Sequence, residues 1–328
     1  MTGKTDGVDA RNARAEAQQV VGDRFDARVL EPSPPAVVDG EWLADDPVAV
    51  DDAARHRTVV SPVPTGDLSW DEWLATRPEH TSWAAARWLG AHRRLSAPPP
   101  TWAATRLALH RLAVYVVSPA RRRVNGKLGL RWTLGGFGTP FFGADRQVRV
   151  AGTQLVCQEG EAATADVITT LAVAGALAFD GPPDVRGAEG FDVPPMGDLD
   201  EELGIDPVSA DFLGDWYGFA YSVLEELRAD RESTDASRVQ LWPEHFDAAF
   251  DCLPADRRAT FGCSPGDAAV SDPYLYVLPH DVDDAPSTLW NAESFRGAIL
   301  PLGELLAAPD QRAAALHFLR ERHAALRA

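Results

Sequence analysis

No stretch of this 328-residue chain approaches the roughly 18 consecutive apolar residues that a membrane-spanning helix needs. Met1 to Gln19 is polar, with no apolar core behind its charges, so no secretory leader is expected there. Cysteine is scarce: Cys157, Cys252 and Cys263 are odd in number, widely spaced and form no CxxC pair. That spacing argues against a disulfide framework or a zinc ribbon and for reduced thiols in a cytoplasm. Bases are outnumbered, 31 against 49 acids, and the net charge of −18 disfavours broad affinity for nucleic acid or an anionic membrane. Fixed-period repeats and low-complexity tracts are absent too. What remains is a 45% apolar, 24% charged chain, the composition of a folded globular protein.

The charge is unevenly placed. Residues 81–150 carry twelve bases and one acid, a surplus of +11, while residues 151–235 carry nineteen acids and three bases, a net −16. Either the two segments pack together and neutralise each other, or part of the basic stretch lines an anion site. Ala120-Arg-Arg-Arg-Val-Asn-Gly-Lys127 places four bases around an Asn-Gly turn, and Arg131 follows. Guanidinium groups bind phosphate or carboxylate in a bidentate fork, so Arg121, Arg122, Arg123, Lys127 and Arg131 are the candidate ligand-binding residues. The other reading is a solvated surface loop.

Along the chain, residues 1–30 read as a polar arm that buries too little apolar surface to offset its ordering entropy. Residues 31–96 read as a helical extension rich in tryptophan, and Ala97-Pro-Pro-Pro100 as the linker into a larger domain, 97–328. A helix is expected from Pro99 to Val117 and a strand over 127–134. Ala151-Gly152 marks a hairpin, and an Ala-rich helix is expected over 167–178. Asp206-Pro207 opens the strongest helix, with Asp as cap and Pro at the first helical position. Val208, Phe212, Trp216, Phe219, Val223 and Leu227 then keep one apolar face. After a strand at 238–242, Pro243 is expected to open a helix with Phe246, Ala249, Phe250 and Leu253 inward and a Leu241–Phe246 staple. Strands at 259–263 and 274–278 and two terminal helices complete the pattern. Hairpins without regular βαβ alternation indicate an α+β fold with a mainly antiparallel sheet.

Few motifs carry chemistry. Gly262-Cys-Ser-Pro-Gly266 matches the G-x-S-x-G elbow, but the residue after the serine is Pro265, which has no N–H for an oxyanion. A polar turn between strands is expected instead. Gly135–Gly143 is glycine-dense but misses G-x-G-x-x-G, because position 141 is Phe, and no Gly-Lys-Ser/Thr occurs. It reads as a packed loop, or as a loop letting a ligand approach the backbone. No cofactor is expected, and no histidine or acid spacing supports a metal. His245 stands out, between Glu244 and Asp247 at a predicted helix start. It reads as a hydrogen-bonded helix-start histidine, or as an acid–base group paired with Asp247 or Asp267.

Leu109-His-Arg-Leu112, Gly129 to Pro140, Val239-Gln-Leu-Trp-Pro-Glu-His-Phe-Asp247, Ser264-Pro-Gly-Asp267, Pro273-Tyr-Leu-Tyr276 and Leu300-Pro-Leu-Gly-Glu-Leu-Leu-Ala307 together resemble a family of uncharacterised actinobacterial proteins. They are also distantly similar to a bacterial domain of unknown function with a W-x-x-F-D-L-A strand–helix element. The resemblance covers roughly residues 105–328 and implies a cytoplasmic bacterial protein without assigning an activity or a catalytic residue. His245 departs from the distant domain, where that position is often small or apolar. Three function classes follow: a non-catalytic domain binding an anionic small molecule or acidic segment at 121–131, a hydrolase or transferase using His245 with a nearby carboxylate, and an interaction protein with no ligand site.

Overall fold

The computed structural model describes Pro78 and residues 94–327, apart from 134, 141, 143–145, 160–161, 185–190, 238, 255–256 and 281–288. The expected arm at 1–30 lies outside the described residues, as does the Trp-rich extension apart from Pro78 and 94–96.

Helix α1 (Trp102–Leu112) passes through a π-helical turn at Ala113–Val117 into α2 (Ser118–Asn125). Pro119 accounts for the widened turn. It has no N–H to give the Tyr115 carbonyl four residues back, and its ring crowds that carbonyl. The freed Tyr115 oxygen accepts instead from the Asp184 N–H, 3.0 Å away. The Asn125-Gly126 pair, expected to turn the chain, is the end of α2: Gly126 takes the left-handed conformation at φ 77° that caps a helix.

Strands β1 (Arg131–Thr133), β2 (Gly136–Gly138), β3 (Arg146–Ala151), β4 (Gln154–Glu159) and β5 (Ala162–Val167) form an antiparallel meander. Helices α3 (Leu171–Phe179) and α4 (Pro207–Ala229) follow. A second meander holds β6 (Gln240–Trp242), β7 (Asp247–Cys252), β8 (Ala259–Ser264), β9 (Tyr274–Pro279) and β10 (Ala298–Pro301), before α5 (Leu302–Ala307) and α6 (Gln311–Ala325). The fold is therefore α+β with two antiparallel five-stranded sheets. Leu130 and Leu241 exchange backbone hydrogen bonds of 2.8 and 2.9 Å, joining β1 to β6 and the two sheets to each other.

Strand alternation divides the second sheet by polarity. Leu241, Phe250, Phe261, Cys263, Leu275 and Val277 belong to the apolar core, against which α4 packs. The opposite face carries Trp242, Asp247, Asp251, Thr260, Ser264, Tyr274 and Tyr276. Helix α4 packs against strands of both sheets, and Trp216, Tyr217, Ala220, Tyr221 and Leu224 on it are wholly buried. A helix apolar on so many sides belongs inside a core.

Several expectations are corrected. Residues 243–253 are not a helix. Pro243–Phe246 is a tight turn and Asp247–Cys252 is β7, paired on both sides by β6 and β8. Ala248, Phe250 and Cys252 satisfy strand alternation as well as Phe246, Ala249, Phe250 and Leu253 satisfy helical spacing, and tertiary pairing decides between them. Phe246 at φ 54° also leaves the right-handed path a helix requires. The expected strand at 127–134 shortens to Arg131–Thr133. Glycine-dense 135–143 contributes β2 rather than a loop throughout. Gly262–Gly266 is, as expected, the end of a strand and a polar turn, with the Ser264 hydroxyl accepting from the Gly266 N–H at 3.1 Å.

The start of α4 is as expected: the Asp206 carboxylate accepts from the Ser209 N–H at 2.9 Å, with Pro207 in the first turn. Asp206→Ala should lower the urea midpoint with the slope unchanged, and Asp206→Ser should restore most of the loss, because serine also caps.

Candidate functional site

The polar face of the second sheet gathers most of its chemistry at the end where the β6–β7 turn and the β8–β9 loop meet α1. His110 of α1 donates from Nε2 to the Pro243 carbonyl at 3.0 Å and stacks on Phe246, ring centroids 5.0 Å apart. Burial, with smaller contributions from Arg106 and His245, pushes His110 down to about 4, so its imidazole is neutral near pH 7. Tyr217 of α4 donates to the Phe246 carbonyl at 2.6 Å. Phe137 and Tyr217 meet the Phe246 ring edge to face at 5.2 and 5.8 Å. These contacts hold Phe246 in its left-handed conformation, a position that costs free energy for any residue but glycine.

The turn fixed in this way presents two of the sequence candidates. His245 is exposed at its tip. Asp247 begins β7 and is only 9% exposed. Its Oδ2 accepts from the Tyr276 hydroxyl. Among the described residues its buried Oδ1 has no hydrogen-bond partner. Burial raises the Asp247 carboxyl above the usual carboxylate range; the His245 charge, the Tyr276 hydroxyl and the residue's own backbone N–H pull it back, and Asp267 adds to the rise. Tyr276 reaches Asp247 from β9 across β8 because Gly262 stands between them, and a Cβ there would overlap the Tyr276 ring. Trp242, half-buried, lies directly opposite Asp247 in the β6–β7 register.

Asp267, the third catalytic candidate, belongs to the same neighbourhood but is occupied. Its Oδ2 accepts from the Tyr274 hydroxyl at 2.6 Å, and its Oδ1 accepts from the N–H groups of Ala269 and Val270 at 2.7 and 2.8 Å. Arg106 of α1 donates to the Ser271 carbonyl at 2.8 Å and to that of Pro265 at 3.4 Å. Asp267 and Arg106 thus build the β8–β9 loop that walls the corner.

The candidate arginines serve separate contacts. Arg121 is buried and donates to the Gly129 carbonyl at 2.7 Å. Arg123 pairs with Asp184 at 3.2 Å, donates to the Pro182 carbonyl at 3.0 Å, and lies over the Phe179 ring at 3.7 Å. Arg111 pairs with Glu201 at 3.7 Å. The Arg123 and Arg111 pairs join the basic segment to the acidic one. Arg122 is half-buried, as is Lys127, whose backbone N–H donates to the Asn125 side chain at 3.0 Å. Arg131 is buried in β1, across Gly138 from Arg149 of β3.

Tyr276 and Trp242 were not among the candidates read from sequence. Two-residue alternation along 247–252 and 274–278 would have placed them beside Asp247, but the helical reading of 243–253 hid that face. Among the described residues no group of three or more His, Cys, Asp or Glu is placed to hold a metal ion, and no helix is long and apolar enough to cross a membrane. Compared with protein-family models, curated proteins and solved structures, the chain matches none.

Because the folded state holds the Asp247 proton more tightly than the unfolded state, stability falls as pH rises from the ordinary Asp range through the raised value. Asp247→Asn removes that loss. Its melting temperature should exceed that of the parent at pH 7, and the difference should vanish below pH 4, in melts recorded across the pH range.

Proposed function

We propose that the protein binds a small molecule at the corner formed by Asp247, Tyr276, Trp242 and His245. The observation that carries this reading is the Asp247 Oδ1. A buried carboxylate oxygen without a donor costs free energy unless something supplies one. The strained turn that presents it and its shifted proton affinity are features that gather at functional sites. The motifs that suggest the actinobacterial family, Val239–Asp247 and Pro273–Tyr276, meet at this corner, and we keep that relation and a cytoplasmic location within the proposal. The hydrolase or transferase form of the reading uses the exposed His245 imidazole beside the Asp247 carboxylate.

A metabolite library screened by thermal shift tests it. A ligand at 100 times its dissociation constant adds about 2.7 kcal/mol, which is about 5–10 °C for a domain of about 200 residues and about 4 °C if the whole chain melts as one unit. The expected result is a responder whose shift is lost in Asp247→Asn, while that variant's own melting temperature does not fall. A library without a responder, or one whose shifts Asp247→Asn leaves intact, refutes the reading. Turnover of the responder that His245→Ala abolishes would mark the protein as an enzyme.

A second reading keeps an anionic ligand but centres it on Arg131. Among the described residues the Thr133 hydroxyl, fully buried on the same strand face as Arg131, has no hydrogen-bond partner. Gly136 stands opposite Thr133, and Gly138 stands between Arg131 and Arg149. The reading rests on this hydroxyl, and the guanidinium groups keep their present contacts, since each has five N–H donors. Thr133→Val should leave unliganded stability equal or higher, because it removes an unsatisfied hydroxyl at constant shape. It should also abolish the thermal shift given by inorganic phosphate or dicarboxylates. If Thr133→Val lowers the melting temperature by several degrees, the hydroxyl is structural and this reading fails.

A further inference from the structure

We infer that the Asp247 corner is built for a cationic nitrogen, an ammonium or guanidinium group, seated between the free carboxylate oxygen and the surrounding aromatic rings. This inference rests on the Asp247 site proposed above and names its ligand class.

The carboxylate sets the polarity. Oδ2 is satisfied by the Tyr276 hydroxyl, so the demand falls on Oδ1, which can only accept. A ligand must therefore bring an N–H or O–H donor, and a charged donor makes the stronger bond.

The rings favour the charge. Trp242 flanks Asp247 from the neighbouring strand, where directly opposed side chains stand about 5 Å apart. Tyr276 comes from the other side, with Phe295 edge-on to it at 6.3 Å and Tyr274 tilted against it at 6.2 Å. Trp242, Tyr276 and Phe295 are each half-buried, so part of each ring is exposed beside the buried carboxylate. The faces of Trp and Tyr attract cations through the ring quadrupole, and an acid ringed by aromatics is how ammonium ligands are recognised. Arg106 of α1, which walls the same corner, spends its N–H groups on the Pro265, Ser271 and Asp267 carbonyls. A metal ion is a poorer match. Among the described residues no group of three or more acids, histidines or cysteines is placed to complete a coordination shell around an ion at Asp247.

The test uses the full chain and three matched probe sets at pH 7: propylamine and methylguanidine, tetramethylammonium, and the uncharged or anionic counterparts propanol and propionate. Thermal shift and NMR titration should show saturable binding of the cations and none of the counterparts. Asp247→Asn should weaken every cation at least tenfold, with a melting temperature no lower than the parent's. Trp242→Leu should weaken tetramethylammonium, which has no N–H, more than propylamine. If propanol or propionate binds in an Asp247-dependent way and the cations do not, the cation inference is overturned and the site stands. If no probe and no metabolite binds in an Asp247-dependent way, both fall. Cations that bind equally to Asp247→Asn overturn the inference alone.

Discussion

Trp216, Tyr217, Ala220, Tyr221 and Leu224 leave α4 little surface that could face water, so the helix must be enclosed. The two meanders enclose it by presenting their apolar faces to it, and the hydrogen-bonded Leu130–Leu241 pair keeps them side by side. The rest of the molecule depends on that enclosure. Once the apolar face of each strand is turned toward α4, period-two alternation sends Trp242, Asp247, Ser264, Tyr274 and Tyr276 to the other side together. A one-residue slip of β7 would turn Asp247 into the apolar core, away from Tyr276.

The same helix also controls the turn at the candidate site. Tyr217 holds the Phe246 carbonyl, and its ring joins those of Phe137 and His110 around the Phe246 side chain. A left-handed phenylalanine is unfavourable in isolation. Here three packed rings and two backbone hydrogen bonds over-determine it. The outcome is functional geometry: the chain reverses within four residues, leaving His245 exposed and Asp247 buried two positions later. Gly262 completes the arrangement on β8, since only a residue without a side chain lets the Tyr276 ring lie across that strand.

The charge asymmetry of the sequence resolves in more than one way. Arg123 with Asp184 and Arg111 with Glu201 join the basic and acidic segments, as side-by-side packing would. Other arginines are used as donors to carbonyls: Arg121 to Gly129, Arg146 to Ala178 and Arg106 to the β8–β9 loop. A guanidinium suits this work because its five N–H groups can satisfy several carbonyls at once. The basic surplus therefore contributes to internal scaffolding as well as to charge balance.

Local chemistry was enough to read some of this from the sequence alone. Asp206-Pro207 announces a helix start because an Asx cap and a proline at the first position satisfy needs internal to the helix. Ala151-Gly152 announces a hairpin for a similar reason, and Pro265 argues against an oxyanion hole without reference to any other part of the chain. The α+β class followed from the order of such elements. The candidate acids and His245 were visible as residue types, but their company was not. Whether 247–252 is strand or helix depends on β6 and β8 supplying hydrogen bonds on both sides, and the residues themselves satisfy both periodicities. Asp247 meets Tyr276, 29 positions away, only when that strand is in place. A residue's intrinsic preference is a matter of its neighbours in sequence, whereas burial of a carboxylate and the absence of its second donor are properties of the assembled sheet, and only the tertiary structure decided them.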